Sequence, residues 1–214
     1  MRARITDPRR LIINVIWAIL ALSMLYALWT ARWSLAFVSL ATMVLSVLPR
    51  LFVERFNIRL PLTFLTVITM FVFGTIFLGE AFDFYERYWW WDVVLHGGSA
   101  AGFGLIGFLF AFMLFEGDRY AAPPWAVAFI AFCIAVTIGA CWEIYEFAMD
   151  QIFGLNMQKS GLIDTMWDLI VDCIGAFLGA LMGYLYLVGR ALGGITALID
   201  TFMRLNKDLL KRRR

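Results

Sequence analysis

Three acidic residues, Glu143, Glu146 and Asp150, interrupt the stretch GACWEIYEFAMDQ (139–151), which is otherwise apolar enough to lie within a membrane. At 3.6 residues per turn they fall within roughly 60° of one another, on one helix face. Asp164, Asp168 and Asp172 repeat at i, i+4 and i+8 and spread over roughly 80°, again on one face. Asp92 is followed one turn later by His96, the single histidine of the chain. Carboxylates and an imidazole at helical spacing are the groups that ligate divalent cations, and also those that carry general acid–base chemistry.

The elements that must position these residues are membrane helices. The chain has 214 residues, of which 63% are hydrophobic, and its mean hydropathy is +0.81. A soluble domain is nearer half apolar, so the composition points to a membrane protein. Measured against the roughly 20 residues that cross a bilayer, six apolar runs qualify: 11–29, 33–48, 62–79, 92–115, 125–149 and 164–188. The second is the shortest and is expected to stop at Pro49-Arg50. The first is longer than a signal-peptide core and has no small-x-small cleavage pattern after it, so it is read as a helix. The fold expected is an all-α polytopic bundle of about six transmembrane helices over residues 1–188, followed by a basic amphipathic tail over 189–214. Ile195, Leu198, Ile199, Phe202, Leu205 and Leu209 of that tail recur at helical spacing, beside Arg204, Lys207 and a closing run of basic residues suited to anionic headgroups.

Charge sets the expected orientation. With a cytoplasmic N-terminus, every Lys and Arg of the 18 falls on the cytoplasmic side except Arg32, Arg87 and Lys159, which places both termini inside. The outer segment GEAFDFYERYWWWD (79–92) ends in Trp89, Trp90 and Trp91, an aromatic group suited to the membrane–water boundary. The fourth span then starts, the fifth ends and the sixth starts on the outer side. At about 1.5 Å per residue, Asp92, Asp150 and Asp164 lie near the surface, and His96, Glu146 and Asp168 roughly 6 Å deeper. Glu143 and Asp172 lie deeper still, at roughly 10–12 Å.

A carboxylate at the centre of a spanning helix costs roughly 2.5–3.5 kcal/mol on insertion scales, so these faces are expected to turn inward. Gly139 on the fifth span and Gly175, Gly179 and Gly183 on the sixth continue the acid faces and permit close helix contact, as does HGGSAAGFG on the fourth. Spans four to six are the expected core, with the first three as flank. Seven carboxylates and one imidazole meet there, and the spans that carry them contain no Lys or Arg.

Something positive must balance them. The expectation is a divalent metal held by Asp92, His96, Glu143, Glu146, Asp150, Asp164, Asp168 and Asp172, with Mg, Mn or Ca favoured over Fe or Zn. Protons on the acids, or a plain rim of surface charge, are the alternatives. A di-iron carboxylate bundle needs two Glu-x-x-His elements, and one histidine cannot supply them. Cys133, Cys141 and Cys173 lie inside spans with no C-x-x-C spacing and read as packing residues. Ser99 and Thr137 read as helix-packing hydroxyls.

Asp92-x-x-x-His96, the block Trp142-Glu143-x-Tyr145-Glu146-Phe147-x-x-Asp150, Gln158, and Asp164-Thr165-x-x-Asp168-Leu169-x-x-Asp172-x-x-Gly175 resemble the bacterial inner-membrane proteins of the YjdF type. The resemblance covers about residues 80–185, and a fainter one runs to VanZ-like membrane proteins, whose relatives are associated with glycopeptide resistance. It implies a multi-pass protein of the bacterial inner membrane and supplies no reaction. Three functions stay open: a metal-dependent enzyme on a lipid or lipid-linked substrate, with His96 and Glu146 as the acid–base pair; a scaffold stapled by a structural metal; or a proton or cation carrier. Membrane lipid is the partner expected. Nothing points to nucleic acid, and oligomeric state is open.

Overall fold

A computed structural model describes residues 7–115, 122–191 and 193–207. Among these residues every regular element is helical, and six helices are long and apolar enough to cross a membrane. Arg2, Arg4, Arg119 and Lys211–Arg214 of the charge pattern, and Leu209 of the tail stripe, lie outside the described residues.

Helix α1 (Pro8–Trp29) begins where Asp7 accepts the Arg9 N–H at 3.0 Å and Pro8 supplies a preset φ in the first turn. Arg9 also donates to Thr63 Oγ1 at 2.9 Å. Helix α2 (Trp33–Arg55) does not stop at Pro49, as its sequence suggested, but runs seven residues beyond the expected end at Leu48. A proline removes one N–H and leaves the ladder on either side, an interruption that membrane helices tolerate. The Arg50–Glu54 ion pair at 2.8 Å braces the turn after it, and the helix ends where Asn57 takes the left-handed conformation (φ 58°).

The third span is α3 (Leu62–Val72), a π-helical stretch Phe73–Leu78, and α4 (Gly79–Ala81). The segment after it is more regular than a loop: α5 (Phe84–Arg87) is followed at once by α6 (Trp89–Phe115), which starts three residues before Asp92. Helix α7 (Pro124–Phe153) ends at Gly154 (φ 66°), where a residue lacking Cβ takes the left-handed cap. Helix α8 (Leu162–Leu187) and the tail helix α9 (Gly194–Leu205) complete the chain.

Two compact units emerge from the contacts: residues as far as Trp89 together with those from Asp200, and Trp90–Ile199. In the first, Ile16, Leu20 and Phe77 form a buried core edged by Leu35, Val38 and Phe73. The C-terminal half of α9 belongs to this unit. Phe202 packs edge-on to Phe64 at 6.3 Å, and buried Asn206 accepts from the Arg59 N–H at 2.7 Å while donating to the Arg59 carbonyl at 2.9 Å. The amphipathic tail expected from sequence is therefore present as a helix, with Phe202 of its apolar stripe turned against protein.

The second unit carries every candidate site residue. Its centre is Ala100, Ala135 and Ala176, with Phe103, Phe132 and Val136 around them. Small residues let α6 and α8 approach backbone to backbone: a Cβ on Gly175 would overlap the Gly97 carbonyl oxygen, and one on Gly179 the Ala101 carbonyl oxygen. On α7, Ala131 packs in the same way against Gly107 of α6.

Candidate metal centre

The first ligand candidates come from the N-terminal turns of α6 and α8. Asp92 and His96 share a face because they are four residues apart, and Asp168 projects from α8 at the same level. One ligand atom from each of Asp92, His96 and Asp168 lies within 4.8 Å of the other two. Ligands about 2.1–2.2 Å from one ion stand about 3–4.3 Å apart, depending on the angle between them, so the trio is grouped closely enough for a modest shift to bring it around a cation. The two ring nitrogens of His96 face different carboxylates. Nε2 is 3.7 Å from Asp92 Oδ1, too long for a hydrogen bond, whereas Nδ1 is 3.3 Å from Asp172 Oδ1.

Asp172 and Asp168 are buried on α8, at 3% and 4% exposure. The reason Asp172 fits is Gly139 on α7: a Cβ there would overlap Asp172 Oδ2, so the carboxylate occupies the space that a side chain would fill. That contact also sets the register. The helices run antiparallel, so one turn nearer the loop that joins them residue 143 of α7 comes level with residue 168 of α8.

Glu143 is the residue placed there. It is 4% exposed, and neither carboxylate oxygen has a hydrogen-bond partner. It stands within electrostatic reach of His96, Asp172 and Asp168. The Thr165 hydroxyl, which accepts from Gln158 Nε2 at 2.6 Å and keeps its own proton to donate, lies alongside but outside hydrogen-bond geometry. Buried polar atoms are nearly always paired, and an isolated buried carboxylate costs several kcal/mol or more. Glu143 is thus a buried carboxylate beside the Asp92–His96–Asp168 trio with no hydrogen-bond partner for either oxygen, a group that a proton or a cation would compensate.

The remaining acids sit further out and are committed to other contacts. Asp150 accepts the Met157 N–H on Oδ1 at 2.7 Å and the Gln158 N–H on Oδ2 at 2.9 Å, clamping the loop that joins α7 to α8. Asp164 lies in the first turn of α8, where a negative charge suits the helix dipole, and takes a backbone hydrogen bond from Lys159. Glu146 Oε1 accepts from Trp142 Nε1 at 2.9 Å along its own helix. The eight predicted ligands thus separate into a deep group (Asp92, His96, Glu143, Asp168 and Asp172) and an outer group (Glu146, Asp150 and Asp164).

Ser99 donates to the His96 carbonyl at 2.9 Å, the local role expected of a helix hydroxyl. Cys133, Cys141 and Cys173 are all exposed, turned outward from the bundle that carries the acids. The sequence reading missed the loop clamp by Asp150. Its signal was present in the eight-residue spacing from Asp150 to Gln158 across Gly154, a span that a turn closes.

Comparison with known proteins gives a relative from Thermotoga maritima, described as "Uncharacterized protein", 34% identical over 113 residues. The match spans 53% of this chain and 57% of the relative, so little more than half of that protein's length is covered. No solved structure matches the chain. In keeping with the YjdF-type resemblance of its acid and histidine motifs, the chain belongs to the family described as predicted membrane protein (DUF2238), whose model matches residues 9–189.

Proposed function

We propose that this protein is a multi-pass protein of the bacterial inner membrane that binds one divalent cation among α6, α7 and α8, with Asp92, His96, Asp168 and Glu143 around the ion. The observation that carries this reading is Glu143, buried with two unpartnered oxygens beside the Asp92–His96–Asp168 trio. Mn2+ is the first choice, since it accepts carboxylate oxygen and imidazole nitrogen alike; Mg2+ and Ca2+ are its oxygen-preferring competitors.

The ligands lie one to three turns from the helix ends, which in the expected orientation opens the site toward the outer headgroups and favours a metal-dependent reaction on a lipid or lipid-linked substrate there. An ion held there lowers the pKa of bound water and polarises an ester or phosphoryl oxygen. Glu146, with Oε2 not engaged by Trp142, is the candidate acid–base group. A VanZ-like activity is not required.

A second reading, a structural staple, is favoured by the ligands' origin on three different helices. A carrier is disfavoured: below Asp172 the acid ladder ends, and Gly175 and Gly179 lie against carbonyl oxygens of α6. Elemental analysis of protein purified in detergent tests the metal. One equivalent in wild type, absent from Glu143→Gln and Asp168→Asn, is expected; metal-free, well-folded wild type rejects the reading. An altered lipid profile in cells carrying Glu146→Gln, with metal content retained, supports the enzyme. An unchanged profile supports the staple.

A further inference from the structure

His96 reaches in two directions, and the difference between them is chemical. Nε2 looks toward Asp92 at a distance no hydrogen bond spans, 3.7 Å, while close to the roughly 3.4 Å that separates two ligands at a tetrahedral angle around one ion. Nδ1 looks toward Asp172 at 3.3 Å, the long end of a hydrogen bond. Asp172 is itself fixed, buried at 3% exposure and filling the space above Gly139. An imidazole cannot ligate an ion and donate a proton through the same nitrogen.

Resting on the metal reading above, we propose that the deep carboxylates divide by role. Asp172 is a positioning residue that accepts the Nδ1–H of His96, and this leaves Nε2 to complete an inner set with Asp92, Asp168 and Glu143. A carboxylate behind a ligating histidine fixes the tautomer and ring orientation and raises the basicity of the ligand. Gly139 belongs to the same device, because any side chain there would push Asp172 off the ring. The ion is accordingly one that accepts imidazole nitrogen together with oxygen, the class of Mn2+, Fe2+ or Zn2+, rather than the all-oxygen class of Ca2+.

The chain has a single histidine, so one isotopic label reports on one ring. The full-length protein in nanodiscs is labelled with histidine carrying 15N at Nε2 alone, loaded with Mn2+ and measured by pulsed electron paramagnetic resonance. A directly bonded 15N coupling is expected; the same coupling found instead with an Nδ1 label overturns the assignment. In parallel, Mn2+ affinity should fall about 10- to 100-fold in Asp172→Leu and be largely recovered in Asp172→Asn, which keeps the acceptor. Unchanged affinity in Asp172→Leu also overturns it. Failure of wild type to take up any Mn2+ rejects the metal reading itself and this division of roles with it. Bound Mn2+ with the wrong nitrogen rejects only the division.

Discussion

Gly139 and Asp172 share one volume: the place a Cβ would take on α7 is filled by Oδ2 of the carboxylate on α8. Gly139→Ala therefore cannot be absorbed without moving Asp172 or separating two helices. Overpacking of this kind costs about 1–3 kcal/mol. The expected outcome is a lower midpoint of thermal unfolding and weaker Mn2+ binding. Gly98→Ala is the control, since nothing lies within 4 Å of the added methyl, and it should leave both quantities nearly unchanged.

In the proposed site the inner ligands come from three helices, so metal binding and stability should be coupled. At a free ion concentration 100 times the dissociation constant, ligand linkage contributes about 2.7 kcal/mol. Wild type should thus unfold at higher temperature with Mn2+ than after chelation, and Glu143→Gln should lose that difference. A Glu143→Gln protein that still gains the full shift would exclude Glu143 from the ligand set.

Asp150 offers the opposite expectation. Its two oxygens hold the Met157 and Gln158 amides, so Asp150→Ala leaves two donors without their partner, at about 1–3 kcal/mol. Hydrogen exchange should accelerate at Met157 and Gln158 while the metal stoichiometry stays at the wild-type value. Loss of the ion in this variant, with the loop still protected, would make Asp150 a ligand.

Asn206 ties the end of α9 to the backbone of Arg59 through two hydrogen bonds and to the Phe202 carbonyl through a third, at 2.8 Å. Asn206→Ala strips these from a buried position and should cost about 1–3 kcal/mol. Limited proteolysis within residues 193–207 is expected to become faster. Asn206→Asp keeps the acceptor but sets a buried carboxylate oxygen against two carbonyls, and should be at least as damaging as Asn206→Ala.

Much of this architecture was legible before any coordinates. Six spans, the shared faces of the acids and the glycines beneath them follow from hydropathy and the 3.6-residue period, and the helices occur where those patterns place them. Pro49 misled, because the break that proline imposes in water is softened where the bonds on both sides of it are preserved. Periodicity also could not rank the acids. It assigns a side chain to a face but not to a partner, so Asp150 and Glu143 look equivalent on one helix surface. The first clamps a loop and the second is buried without a partner. That distinction depends on the α7–α8 register, which no local pattern encodes. Asn206 was missed for a similar reason: its partners at Arg59 lie 147 residues away.

The meeting of Gly175 with the Gly97 carbonyl, and of Gly179 with that of Ala101, closes α6 against α8 beyond the acids. In the proposed site an ion bound at Asp168 would then exchange from the side of the helix ends that carry Asp92 and Asp164. A membrane-impermeant chelator placed on that side of sealed vesicles should empty the site, and the same chelator on the far side should leave it filled. Occupancy would then follow the chemistry of one compartment alone, insulated from the other.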